Sequence, residues 1–279
     1  MNNRTMNESK LQVFEMYLIQ EEKSSATVEK YMRDVTAFAA YVGDNAVTKE
    51  MVMGYKKHLQ QQGYAIRSIN SMLASINSFL HFQNWMDCRV KFIKQQKQTY
   101  CASEKELSKE EYRRLLKAAK KKPQLYMVMQ TICATGIRVS ELQYFTVENV
   151  QQGEVMVDCK GKNRRILIPG KLRRRILDYV KRHNIHSGMV FVGKSGKPLN
   201  RSYIWAQMKR LCNEAEVKRS KVFPHNLRKL FARTFYGIEK DIAKLADILG
   251  HSSIDTTRIY IMSTGIEHRR KIERLGLVI

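Results

Sequence analysis

Acidic residues are in short supply: 26 Asp and Glu stand against 50 Lys and Arg, a formal net charge of +24. Such self-repulsion is relieved when phosphates approach and displace counterions, so the imbalance points to a polyanionic partner, with nucleic acid first. Cysteines are few as well. The five, Cys88, Cys101, Cys133, Cys159 and Cys212, are odd in number and show no C-x-x-C spacing, which argues against a disulfide framework and against a zinc site. There is no run of 18 apolar residues and no signal-peptide pattern, so neither a membrane span nor export is expected. A reducing cytoplasm fits these absences. Internal repeats, low-complexity segments and a Walker phosphate loop are missing too, and no nucleotide, metal or other cofactor is expected.

What is present divides unevenly. Residues 1–100 carry a net charge of +4 and the remainder +20, and 279 residues suffice for two modest domains with a core each. Leu11, Phe14, Tyr17 and Leu18 recur at helical spacing, followed by Val28, Tyr31, Val35, Phe38 and Val42. A third helix is predicted from the Thr48 cap to Gly63 and a fourth along Ile66, Ile69, Leu73, Ile76 and Leu80. The opposite face of the fourth carries Arg67, Ser68, Asn70, Ser71 and Ser75, groups able to lie against a DNA backbone or to be simply solvated. Periodicity fades from about Asn84 to Glu106, a basic connecting stretch. The expected division is a helical first domain over 1–98, a linker over 99–106 and a second domain over 107–279.

The second domain opens on a capping box, Ser108 with Glu111, flanked by Leu107 and Tyr112. A helix to about Lys121 ends before Pro123, and the next, through Leu125, Val128, Met129 and Ile132, breaks at Gly136 just before Arg138. Arg138 is expected at a helix N-terminus, with Glu141 one turn on. Val155 and Val157, a turn at Lys160 to Asn163, then Ile166 and Ile168 predict a β-hairpin. Basic helices follow over 171–182, with Arg173, Arg174 and Arg175, and over 201–214.

The chain centres on Pro224 to Tyr260. His225 and Arg228 are three apart and share a helix face, Gly250 ends a helix and leaves His251 at a turn, and Tyr260 follows on a short helix packed through Ile254, Ile259 and Ile261. Taken singly these residues have ordinary explanations: a cap, a solvated face, a core aromatic. Together they suit an anion and a nucleophilic attack upon it. The pattern H-x-x-R, L-G-H, then Tyr, with T-G-I-R-V-S-E-L at Thr135 to Leu142, resembles the tyrosine recombinase (phage integrase) family.

The resemblance implies a mainly α fold with a small β-sheet, arranged as a two-domain C-shaped DNA clamp of the simple Xer-like kind without an extra arm-binding domain. It implies site-specific recombination of double-stranded DNA through a 3′-phosphotyrosine link. Arg138 and Arg228 would neutralise the phosphate, His251 would bond a non-bridging oxygen, His225 would take the phenol proton, Tyr260 would be the nucleophile, and Glu141 would support Arg138. The family's hairpin lysine falls on Lys160, with Cys159 where the family has glycine, so Lys162 stays an alternative. A homotetramer on paired sites is implied, joined by exchange of the apolar tail at Leu275 to Ile279, although that tail is equally able to fold back on its own domain. Two other readings share the residues: a type IB topoisomerase that relaxes a single duplex, and a DNA-binding regulator without chemistry.

Overall fold

The computed structural model describes residues 4–96, 106–159, 162–262, 269 and 272–276. The chain divides into two compact units, Met1–Lys97 and Gln98–Ile279.

Among its described residues the first unit is built from α1 (Glu8–Gln20), α2 (Ser25–Val42), α3 (Lys49–Gln61) and α4 (Ile66–Phe82). Asn7 and Thr48 cap α1 and α3 by accepting from the backbone N–H three residues on, satisfying donors that a helix start leaves unpaired. Ile69, Leu73, Ile76 and Leu80 face inward from α4 as their spacing requires, joined by Phe79, Phe14 and Phe38. The polar face of α4 is only partly free. Asn70 exchanges hydrogen bonds with the backbone of Ile93, and Ser75 is buried against Asp34 and Lys30. Arg67, Ser68 and Ser71 remain exposed.

The stretch after α4 departs from its sequence reading as a connection. Trp85, Cys88 and Val90 belong to the core, and Asn77 holds Val90 by both its N–H and its carbonyl. Periodicity is lost there because side chains, not a repeating ladder, satisfy the backbone.

The second unit begins with α5 (Lys109–Ala118), whose Ser108 and Glu111 form the reciprocal capping box. A 3₁₀ turn links it to α6 (Pro123–Thr135), which has proline at its first position and the left-handed Gly136 at its end. Only glycine fits there, because a Cβ would lie 2.3 Å from the Phe231 ring. After a 3₁₀ segment over Val139–Tyr144 and α7 (Val147–Gln152) come β1 (Glu154–Cys159) and β2 (Lys162–Leu167), an antiparallel pair. The turn is shorter than expected, since Lys162 and Asn163 already pair with Cys159 and Asp158. Then follow α8 (Gly170–Arg182), α9 (Arg201–Lys209), α10 (Pro224–Glu239), α11 (Ile242–Leu249) and α12 (Ile254–Ile261). Not all the charge on α8 is open to a partner: Arg173 donates to the carbonyls of Val150 and Gln151, and Arg175 to Gln130.

Candidate active site

The C-terminus of α11 assembles the site. A helix end leaves its last carbonyls without partners and carries partial negative charge. Here three successive carbonyls each take an arginine from a different element: Ile248 accepts from Arg164 Nη1 at 3.0 Å, Leu249 from Arg228 Nη2 at 2.7 Å, and Gly250 from Arg138 Nη2 at 3.0 Å. Gly250 is required twice over, by its φ of +63° and because a Cβ would meet Arg164 Nη1 at 2.8 Å.

Glu141, 2% exposed, is the counter-charge. Its Oε1 accepts from Arg138 Nη1 at 2.8 Å, and its Oε2 accepts from the Arg138 N–H at 2.8 Å and from Arg164 Nη2 at 2.6 Å. Arg138 therefore does not start an α-helix whose N–H groups await an anion. It caps a short 3₁₀ segment whose opening is filled by the Glu141 carboxylate.

Arg228 is 1% exposed, far from a solvated face. Nη1 donates to the Gly136 carbonyl at 2.5 Å and Nη2 to Leu249 and to His251 Nε2, while Nε has no hydrogen-bond partner among the described residues. The free fork expected for phosphate is thus partly occupied, with one buried donor left over. Burial and then Arg138 lower this guanidinium to about 10, against the pull of Tyr260 and Glu141, and it stays cationic at neutral pH.

His225 sits at the start of α10 with an exposed edge, and His251 is half-buried in the turn after α11. Desolvation, then Lys229, Arg228, Arg201 and Arg138, push His225 down to about 4. Desolvation, then Arg228, Arg138, Arg164 and His225, push His251 down to about 4. Both rings are neutral near pH 7. Because the unfolded chain protonates such rings near 6.5, it binds more protons than the folded one between about pH 6.5 and 4. This contribution to stability is complete above 6.5 and is lost as pH falls through that window. Tm is expected to drop across that range and to drop less in His251→Gln, as thermal unfolding against pH will show.

The packing expected of the isoleucines on α12 is found only at Ile261, which lies against the cluster of Ala232, Leu245, Leu249 and Tyr260. Ile254 and Ile259 are 52% and 42% exposed, whereas Thr257 and Tyr260, three apart, form the buried face of α12. The Tyr260 ring lies 5.1 Å from His225, 4.9 Å from His251 and 5.9 Å from the Arg228 guanidinium carbon. The structure thus brings together Arg138, Glu141, His225, Arg228, His251 and Tyr260. Lys160 lies outside the described residues, and Lys162 is placed by its backbone at the start of β2.

Two members of the cluster escape the sequence reading. Arg164 occupies the inward face of β2 in line with Ile166 and Ile168, where alternation calls for an apolar residue; an arginine in that register is the signal. Thr257, fully buried, places Oγ1 2.8 Å from His251 Nδ1. Its spacing from Tyr260 puts it on the same face, but nothing in the sequence ties it to His251.

Two family descriptions match this chain: phage integrase, N-terminal SAM-like domain, over residues 11–86, and phage integrase family over residues 105–265, more than half of the chain. The chain belongs to the phage integrase family. Similar full-length proteins include the tyrosine recombinase XerA of Pyrococcus furiosus, 27% identical with 100% of this chain and 98% of that one covered. The dimer of lambda integrase residues 75–356 bound to a COC' core site superposes with a TM-score of 0.76 at 17% identity, covering 93% of this chain and 96% of that one. The lambda integrase tetramer bound to a Holliday junction gives 0.74 at 17% identity, covering 93% and 78%. At that identity the likeness bears on the fold: a mainly helical integrase with one small sheet. No described helix of this integrase is long and apolar enough to cross a membrane.

Proposed function

We propose that this integrase is a site-specific DNA recombinase whose pocket binds a scissile phosphodiester and whose Tyr260 attacks it. The observation that carries this reading is the buried Arg228, which keeps an unpartnered Nε–H beside the phenol ring. A buried donor without an acceptor is costly, and a phosphate oxygen would satisfy it.

The Tyr260 oxygen forms a bond to phosphorus, and the bond to the 5′ oxygen breaks. Charge that builds on the non-bridging oxygens meets Arg138 and Arg228, already fixed by the α11 carbonyls and Glu141. His225, neutral beside the ring, takes the phenol proton, and an arriving phosphate raises its basicity by offsetting the surrounding cations. Lys160 supplies the proton to the departing 5′ oxygen, with Lys162 as the alternative donor or a backbone contact. The phosphotyrosine bond conserves the energy of the broken one, so a 5′ hydroxyl from a second duplex reseals it.

Arg67, Ser68 and Ser71, exposed on α4, belong to the duplex-binding face of the first unit in this reading. Assembly as a homotetramer on two sites, with the tail exchanged between protomers, also belongs to it. Ile272 and Leu275 are exposed among the described tail residues, which is compatible with a docking partner, and Leu277 to Ile279 lie outside the described residues.

A nicked suicide duplex carrying the target site tests the chemistry. The full chain is expected to become covalently attached through a 3′ phosphate and Tyr260→Phe not to. Wild-type protein that gives no adduct would refute the assignment. Exchange between two labelled duplexes, and not mere relaxation of one, identifies recombination.

A further inference from the structure

His251 is held from both sides by groups of different hydrogen-bonding character. Arg228 Nη2, 3.0 Å from Nε2, can only donate, so Nε2 carries a lone pair and the ring proton resides on Nδ1. Thr257 Oγ1, 2.8 Å from Nδ1, then accepts that proton's hydrogen bond. In this state His251 has no proton to offer a phosphate oxygen. To donate from Nε2 it must lose the Nδ1 proton to water and take one at Nε2, with no net change in charge. Nδ1 then needs a donor where it had an acceptor.

A hydroxyl does both by rotating. We propose that Thr257 is a positioning residue that keeps His251 in place through both ring tautomers, so that an arriving phosphodiester turns Nε2 from acceptor for Arg228 into donor to phosphate. The same exchange releases Arg228 Nη2 toward the anion beside its unpartnered Nε. This rests on the recombinase reading of the pocket.

The groups around the ring favour exchange at fixed charge over protonation. Arg228, Arg138, Arg164 and His225 all oppose an imidazolium, and the Tyr260 ring closes a further side 4.9 Å away. Thr257 is completely buried on α12, three residues before Tyr260, so the hydroxyl is fixed to the same element as the nucleophile.

The test combines ¹⁵N spectra of the His251 ring with single-turnover cleavage of the nicked duplex, using the full chain and its Thr257→Val and Thr257→Ser variants. In the wild-type chain, free protein is expected to show the Nδ1–H tautomer, and saturating inorganic phosphate to shift it toward Nε2–H. Thr257→Val is expected to keep the Nδ1–H tautomer when phosphate is added, because Nδ1 has lost the donor it needs in the other state, and to cleave about tenfold more slowly at saturating DNA, with duplex affinity within about twofold, as for loss of one buried hydrogen bond. Thr257→Ser is expected to restore both the spectrum and the rate. A wild-type ring that keeps Nδ1–H in saturating phosphate overturns the inference. So does a folded Thr257→Ser as slow as Thr257→Val, since packing of the methyl would then be what matters. Failure of the wild-type chain to form any adduct refutes the recombinase reading instead, and the phosphate titration still decides the tautomer exchange.

Discussion

Arg228→Lys is expected to slow cleavage of a nicked duplex by about 10²–10³-fold at saturating DNA, the cost of removing one preorganised donor from a developing oxyanion. A lysine keeps the charge but presents a single nitrogen. It cannot serve the Gly136 and Leu249 carbonyls and a phosphate from one rigid plane as the guanidinium does. Because the interaction grows with charge in the transition state, the loss belongs to kcat more than to DNA affinity. Urea unfolding separates this from structural damage, since Arg228→Ala additionally strands two carbonyls and is expected to lose about 1–3 kcal/mol of stability. A lysine variant that cleaves within threefold of the wild type would reduce Arg228 to a clasp between α6 and α11.

Glu141→Ala is expected to produce the largest stability loss, about 3–5 kcal/mol, because it removes the buried carboxylate that answers both Arg138 and Arg164. The Arg138 backbone N–H loses its acceptor in the same step. Glu141→Gln keeps the shape with one acceptor oxygen fewer and no charge, so it should fall between the two. Equilibrium unfolding of both variants checks the order. A Glu141→Ala chain as stable as the wild type would show that the α11 carbonyls alone hold the arginines.

Local pattern made much of the helical frame of both units readable. The apolar spacing along α4, the Thr48 cap of α3 and the Ser108–Glu111 capping box are interactions within one or two turns, and they appear where neighbouring residues required them. The stretch containing Trp85, Cys88 and Val90 was unreadable for the opposite reason: Asn77 and Asn70 hold its backbone from a different element, and no period records that. On α12 two of the three isoleucines misled. Ile254 and Ile259 lie on solvent-facing turns, and the space beneath Tyr260 is filled by two histidine rings and an arginine.

By itself the sequence determined which residue types were available and at what spacing: basic charge in excess, H-x-x-R at a helix start, L-G-H at a helix end, and a tyrosine on the helix that follows. It did so because helix starts, stops and faces depend on contacts a few residues long. Only the tertiary structure decided that three arginines from α10, β2 and the segment after α6 converge on consecutive carbonyls at the C-terminus of α11, that Glu141 answers two of them, and that Arg228 and Thr257 hold the two ring nitrogens of His251. Those contacts join residues up to 112 positions apart, and their strength comes from burial, which no residue acquires until the chain has closed around it.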